Sequence, residues 1–393
     1  MKRFDVVVVG AGMIGTTLAL MLNQLSRGKL SLAVIESIQS DRRFSLDLDS
    51  RFIALSYGTL GILKRFQLWQ PISSMITPIN YVHVSDRSHP GSMNICVNEL
   101  NLDVLGCVIN LTDVARTYDN LLKKAYNVQL FCPESVVEIK QTRKHSNISL
   151  LSGEKLQSKL LVGADGTASI CCKQIGLEFK EHDFKQVAVV ANIITSKSHE
   201  GRAFERFTQS GSVALLPIKG NCFSLVWCLS SRLAEKVMSY DDENFLNELQ
   251  KEFSWYLGKL LKVGKRISYP LLLRYRKRNI AHRFVVVGNA AQTLHPIVGQ
   301  GFNLGIRDIA SLAEEVVASA PSGIGSYDTL VAFKNRRNLD RDRTIRLTSG
   351  LVHLFSNDCL LKKIGRNLGL FAMDNMFILK VPLLRHTLGI IRH

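Results

Sequence analysis

Residues 284–308 read FVVVGNAAQTLHPIVGQGFNLGIRD. The apolar, β-branched run Phe284-Val285-Val286-Val287 predicts a buried strand. Glycines at 288, 299, 301 and 305 crowd the loop after it, and the apolar spacing from Ile306 to Val317 predicts a helix. A strand, a glycine-dense turn and a helix start gather backbone N–H groups with no side chains in front of them. Such a surface suits an anionic or electron-rich ligand.

A second loop of this kind opens the chain. Phe4 to Val9 is apolar apart from Asp5, and Gly10-Ala11-Gly12-Met13-Ile14-Gly15 follows. Thr16 to Leu25 has helical spacing, and Leu30 to Ile35 predicts a second strand ending at Glu36. This is G-x-G-x-x-G between strand and helix, with an acid about twenty residues on to grip a ribose hydroxyl. Dinucleotide binding is the reading; an incidental glycine turn is the bland alternative. Lys2 and Arg3 before apolar residues imitate a secretion signal, but Asp5 and the glycines break the apolar run.

The chain has 393 residues, 46% of them hydrophobic, which predicts two interleaved domains with large buried cores. It contains no apolar run of about eighteen residues, the length a membrane helix needs. The eight cysteines lack metal-binding spacing and read as reduced thiols of a cytoplasmic protein; no metal site is expected. The formal charge of +17 admits nucleic acid or an anionic membrane surface as partner. Its clusters are 274–278 and 334–346, the second partly neutralised by Asp340 and Asp342. No nucleic-acid motif accompanies either cluster, so they read as solvated faces or a membrane-facing surface, and no nucleic acid is expected.

Between the two loops, Ser56 to Phe66 and Asp113 to Ala125 predict helices. Ile79 to Val84, Met93 to Val97, Asn127 to Phe131 and Val136 to Lys140 predict strands. Leu160 to Val162 leads into Gly163-Ala164-Asp165-Gly166, another strand ending at an acid and a glycine. Alternation from Val187 to Leu229 predicts an antiparallel sheet, and Asp241 to Leu261 a helix with an acidic first turn. The last fifty residues read as amphipathic helix. The fold class is therefore α/β: a Rossmann-like nucleotide-binding domain interrupted by a β-rich cap.

Three motifs stand in order: the first glycine turn with Glu36, the Gly163–Gly166 turn and the Gly288 loop. Together they resemble the FAD-dependent aromatic hydroxylases over essentially the whole chain. Further stretches resemble the ubiquinone-biosynthesis hydroxylases within that group: Arg51 to Ser56 (RFIALS), His83 to Arg87 (HVSDR), His199 to Phe207 (HEGRAFERF) and Leu351 to Phe355 (LVHLF). Asn289 and Gln292 stand where most relatives carry Asp and His, and Cys172 where many carry Arg.

The resemblance implies an FAD-binding domain at 1–75, 100–176 and 270–345, a β-sheet substrate domain at 76–99 and 177–269, and a C-terminal helical segment at 346–393. It implies that Gly10, Gly12 and Gly15 cradle the FAD pyrophosphate and that Glu36 holds the adenosine ribose. Arg51, Arg116, Asp165 and Asn289 follow as further cofactor contacts. Backbone groups at Gly299, Gly301, Phe302 and Asn303 would meet the flavin ring. The implied chemistry is ring hydroxylation of a polyprenyl-methoxyphenol with NAD(P)H as co-substrate and O₂. The Pro296 carbonyl would accept the ring hydroxyl, with His295 as a proton relay or a structural histidine. A polyprenyl tail must leave a membrane or a lipid-carrying partner, since each buried methylene gains about 0.8 kcal/mol. A membrane surface or other ubiquinone-biosynthesis proteins are therefore the expected partners, with Leu368 to Ile391 as the candidate contact, at the periphery of the inner membrane. Hydroxylation at another ring position and FAD-dependent prenyl-lipid reduction are the alternatives.

Overall fold

The computed structural model describes residues 1–39, 52–87, 91–209, 211–253, 257–355, 374 and 376–390. Its first sheet runs in the order Ile280–Ala281, Phe284–Val286, Lys155–Gly163, Lys2–Val9, Leu32–Ile35, Val128–Phe131. From Phe284–Val286 onward the neighbours are parallel. A hairpin of Val136–Gln141 and Ser146–Leu150 attaches antiparallel to Lys155–Gly163.

Parallel strands buried on both faces need apolar residues at every position, and the period of two then sorts them. Val6, Val8, Leu160, Val162 and Val285 face one core, shared with the helices Met13–Ser26, Leu111–Lys124 and Gln300–Ala318. Val7, Val9, Leu161, Phe284 and Val286 face the other, packed on the 136–150 hairpin and on Cys171 and Cys172. The described cysteines are all free thiols.

The second sheet runs Gln292–Thr293, Ile267–Tyr275, Lys180–Thr195, Cys222–Ser230, Gly211–Ile218, Arg202–Thr208, Tyr81–Asp86, Ser92–Cys96, with Leu260–Val263 also on Lys180–Thr195. It is antiparallel except where Arg202–Thr208 meets Tyr81–Asp86 in parallel. The helices Ser231–Met238 and Asp242–Phe253 cover one face, with Trp227 against Phe245 at its centre. Residues 270–275, assigned by sequence to the nucleotide domain, pair within this sheet. A third sheet, Phe52–Ser56, Gly106–Asn110 and Ile76–Ile79, bridges the two.

Two predicted helices have different bounds. The stretch 241–261 is not one helix: Asp242–Phe253 is helical, and Leu260–Val263 is a strand. Gly258 turns the chain there at φ +70, and Gln250 Oε1 receives the Leu260 N–H at 2.9 Å. The helix placed at Ile306 begins at Gln300 instead. Gly301 and Gly305 are thus helical rather than loop residues. An added Cβ at Gly305 would stand 2.8 Å from Ile14 Cδ1, so its missing side chain lets two helices close on each other.

Two surface expectations are narrowed. Arg337 and Arg341, read as part of a solvated or membrane-facing basic cluster, are buried, as is Arg276 of the other cluster. Lys380, read as part of a C-terminal membrane or partner face, is buried with Nζ bound to Glu99 at 2.6 Å and to the Asn94 carbonyl. No helix among the described residues is long and apolar enough to cross a membrane.

Candidate cofactor and substrate site

Three chain turns distant in sequence meet at the carboxyl ends of the parallel strands. Gly10, at φ +101, lies so close to the 163–166 turn that a Cβ on it would be 2.5 Å from Ala164 O. A Cβ at Gly15 would be 1.9 Å from Gly10 O, so helix and turn touch backbone to backbone. A Cβ added at Gly288, at φ +62, would stand 3.1 Å from Cγ2 of Ile14, one residue before Gly15. The sheet fixes these approaches: Ala164 N donates to Val9 O at 2.8 Å, and Val287 N to Gly163 O at 2.9 Å.

Gly12 differs from its neighbours. An added Cβ there would meet nothing within 4 Å, and the helix it begins has no side-chain cap. Uncapped N–H groups at a helix start, with open space before them, suit a pyrophosphate. Glu36 lies beside this turn, its Oε2 receiving Ala11 N–H at 2.7 Å and its Oε1 receiving Ile38 N–H at 2.9 Å. Asp165 accepts the Cys171 N–H through Oδ2 at 3.1 Å, while its buried Oδ1 carries no hydrogen-bond partner. That oxygen leaves an acceptor for a hydroxyl donor. The donor set and the open cradle fit FAD. Asn289 is exposed at the loop surface. Arg116 lies on the Leu111–Lys124 helix, more than half exposed and 4.0 Å from Asp113. Arg51 lies outside the described residues.

The second half of the Gly288 loop is held from within. Asn303 is 2% exposed and uses its whole amide. Oδ1 accepts from Ser56 N at 2.9 Å and Thr59 Oγ1 at 2.7 Å; Nδ2 donates to Ala54 O at 2.9 Å and Gly299 O at 2.8 Å. With those bonds in place the side chain has nothing left for a ligand, so any cofactor contact here falls to backbone. Gly301 faces open space, whereas Phe302 packs on the first core.

His295 is likewise engaged. Its Nδ1 receives the Ile297 N–H at 3.2 Å, which makes Nε2 the protonated nitrogen, and Nε2 donates to Gln186 Oε1 at 3.1 Å. Burial lowers its pKa to about 4. A neutral ring with both nitrogens in use holds the loop, as a structural histidine does. The Pro296 carbonyl accepts Gly299 N–H at 2.8 Å and keeps a second lone pair.

Pro296, Gly299, Gln300 and Asn303 form one wall of a cavity of about 320 Å³. The third sheet with Leu105 before it, the uncovered face of the second sheet with Val84 and Phe207, the Tyr327–Phe355 helix with Leu351 and the Phe377–Thr387 helix with Leu384 supply the rest. Gln300 Nε2 donates to Thr387 O at 2.9 Å and Gly58 N to Leu388 O at 2.8 Å, tying the C-terminal segment over the cavity. Glu205 is the carboxylate on this apolar wall, and burial pushes its pKa up to about 7. Glu205 falls inside the stretch HEGRAFERF at 199–207, where it carries no expected role. Its signal was an acid at the inward parity of Ala203 and Phe207.

Comparison with known proteins agrees with this geometry. The family model described as an FAD binding domain matches residues 3–346. The ubiquinone hydroxylase UbiL of Rhodospirillum rubrum is 30% identical over 393 residues, covering 100% of this chain and 91% of that protein. The 3-demethoxyubiquinol 3-hydroxylase of Escherichia coli is 27% identical, covering 98% of each. Among solved structures, p-nitrophenol 4-monooxygenase PnpA of Pseudomonas putida superposes with a TM-score of 0.78 at 19% identity over 99% of both chains, a likeness of fold.

Proposed function

The chain belongs to the FAD-binding-domain family and, within it, to the ubiquinone-biosynthesis hydroxylases, and from that premise we propose which substrate it hydroxylates and how its residues divide the work. It is an FAD-dependent aromatic monooxygenase using NAD(P)H and O₂. The finer reading is that of a 2-octaprenyl-6-methoxyphenol hydroxylase, acting on a methoxyphenol ring that bears a polyprenyl tail.

The observation that carries this reading is the junction of cradle and cavity. The Gly299–Asn303 segment belongs both to the glycine loop and to the wall of an apolar chamber. In this reading Gly10, Gly12 and Gly15 hold the pyrophosphate, Glu36 the adenosine ribose, and Asp165 and Asn289 the ribityl side. The backbone from Gly299 to Asn303 borders the flavin ring. FAD bound there would supply the redox chemistry that links NAD(P)H and O₂ to the ring. The chain's own part is to orient the ring and keep water away. Leucines, valines and phenylalanines on the cavity wall serve the second task. The tail, at about 0.8 kcal/mol per methylene, follows the leucines at 351, 383, 384 and 388. Delivery of so apolar a substrate from a membrane surface or a pathway partner is part of the same proposal.

The test is to incubate the FAD-loaded protein with 2-polyprenyl-6-methoxyphenol, NAD(P)H and O₂, then identify the product. One oxygen atom added per NAD(P)H consumed supports the reading. Addition to a different ring intermediate moves the position, and two added hydrogens without O₂ uptake make it a reductase.

A further inference from the structure

Glu205 lies on the strand Arg202–Thr208, two residues from Ala203 and two from Phe207, both of which belong to the cavity-side core. In register it faces Ala214 on one neighbouring strand and Val84 on the other, and Ala214 faces Val226 beyond. All four residues line the cavity that Pro296 and Gly299 close from the loop side. Inside the protein the carboxyl meets the Ser212 hydroxyl and the Cys228 thiol, neither of them a cation. Its Oε1 is enclosed and has no hydrogen-bond partner.

Folding alone gives no reason for this group. An uncompensated carboxylate in an apolar wall destabilises the folded state, and a valine like those at 84 and 226 would suit the sheet better. A ligand that brings a donor into the cavity supplies the missing partner. We propose that Glu205 is a catalytic residue, accepting the ring hydroxyl of the phenol bound in this cavity. The inference rests on the functional reading above and deepens it.

The step is a proton transfer. The phenolic O–H bond breaks, a carboxylic O–H bond forms on Glu205, and the bonding electron pair stays on the phenolic oxygen, enriching the ring that is to be oxidised. The Pro296 carbonyl can receive a hydrogen bond but cannot carry the proton away. Burial raises the carboxyl to about 7, which narrows its distance from a phenol at about 10. Glu205 must be ionised to act, so phenol binding and turnover should rise with pH through about 7. The polar groups that face it are Ser212 and Cys228; Val84, Ala214 and Val226 on the packed strands do not titrate.

The experiment uses the full-length, FAD-loaded protein with a short-tailed 2-prenyl-6-methoxyphenol and its O-methyl ether. Binding constants, turnover and the ultraviolet difference spectrum of the bound phenol are measured from about pH 6 to about pH 9, a span that brackets a raised carboxyl. In Glu205→Gln, turnover should fall about a hundredfold, the scale of general-base loss. The rise through pH 7 and the phenolate band should disappear, while ether binding stays the same. Glu205→Leu should also weaken phenol binding. The thermal midpoint of either variant should equal or exceed that of the wild type, because a buried charge has gone. A Glu205→Gln protein that keeps wild-type turnover and the same pH profile overturns the inference alone. Wild-type protein that binds neither phenol nor ether overturns the functional reading, and the inference with it.

Discussion

Asn303 Oδ1 accepts the backbone N–H of Ser56 at 2.9 Å across 247 positions of sequence. The same side chain also receives Thr59 Oγ1 and donates to Ala54 O and Gly299 O. One buried amide thus fixes the strand Phe52–Ser56 against the loop that begins at Gly288. Replacing it with alanine strands a buried N–H and two carbonyls, at roughly 1–3 kcal/mol for each buried group left unsatisfied. Asn303→Ala should lose about 3 kcal/mol in urea titration, and its FAD should dissociate more readily. An unchanged midpoint with normal FAD retention would show that the clamp does not hold the loop.

Asp340 lies between two buried cations. Its Oδ2 receives Arg307 Nε at 2.8 Å and also Arg337, which itself donates from Nε to Asp308 at 2.8 Å. Burial opposes the Asp340 charge, but Arg307 and Arg337 outweigh it and hold the carboxyl below the ordinary aspartate value. Because the folded pKa is depressed, this stabilisation is complete above the unfolded pKa and is lost as pH falls through the folded one. Stability should therefore drop in the acid range below about pH 4. Asp340→Asn should remove that part of the acid dependence. At pH 7 it should cost about 3–5 kcal/mol, as breaking a buried pair does. Chemical denaturation from pH 7 down through the acid transition decides it, and a variant whose stability falls in parallel with the wild type would sink the account.

What the sequence yielded and what it withheld divide along physical lines. Local signals were legible: the strand-glycine-helix turn at Gly10, the acid after the second strand and the alternation from Val187 to Leu229. Each depends on neighbours in sequence. Arg276, Arg337 and Arg341 were misread because charge predicts exposure unless a partner waits elsewhere. Apart from Asp340 on the same helix as Arg337, the partners here, Asp308, Gln292 and the carbonyls of residues 276, 290 and 291, come from elements distant in sequence. Glu205 was passed over for the converse reason. Its neighbours on the adjacent strands are 84 and 214, and no local pattern marks a cavity they share.

His295 should govern stability near neutrality. Burial depresses its pKa to about 4, so the folded state keeps it neutral while an unfolded histidine takes up a proton near pH 6.5. Its contribution is full above about pH 6.5 and is lost as pH falls toward 4, at about 1.4 kcal/mol per unit. His295→Gln should flatten this slope between pH 6.5 and pH 5 in urea titrations. If wild type and variant lose stability in parallel over that range, another group is responsible.

The three glycines of the first turn should separate by role. At Gly15 a Cβ would stand 1.9 Å from Gly10 O, backbone against helix, with no flexible atom to yield. Gly15→Ala should therefore fail to fold or should unfold several degrees lower without any ligand. At Gly12 the same methyl would meet nothing within 4 Å of protein, and the residue's φ of -65 suits alanine. The apoprotein of Gly12→Ala should keep its thermal midpoint. The methyl would occupy space required by a pyrophosphate resting on the backbone, so FAD affinity should fall about tenfold, or about 1.4 kcal/mol. Apoprotein melting and FAD titration of both variants give four numbers. A Gly12→Ala protein that binds FAD as tightly as the wild type would mean that the open face of this turn is not where the cofactor lies.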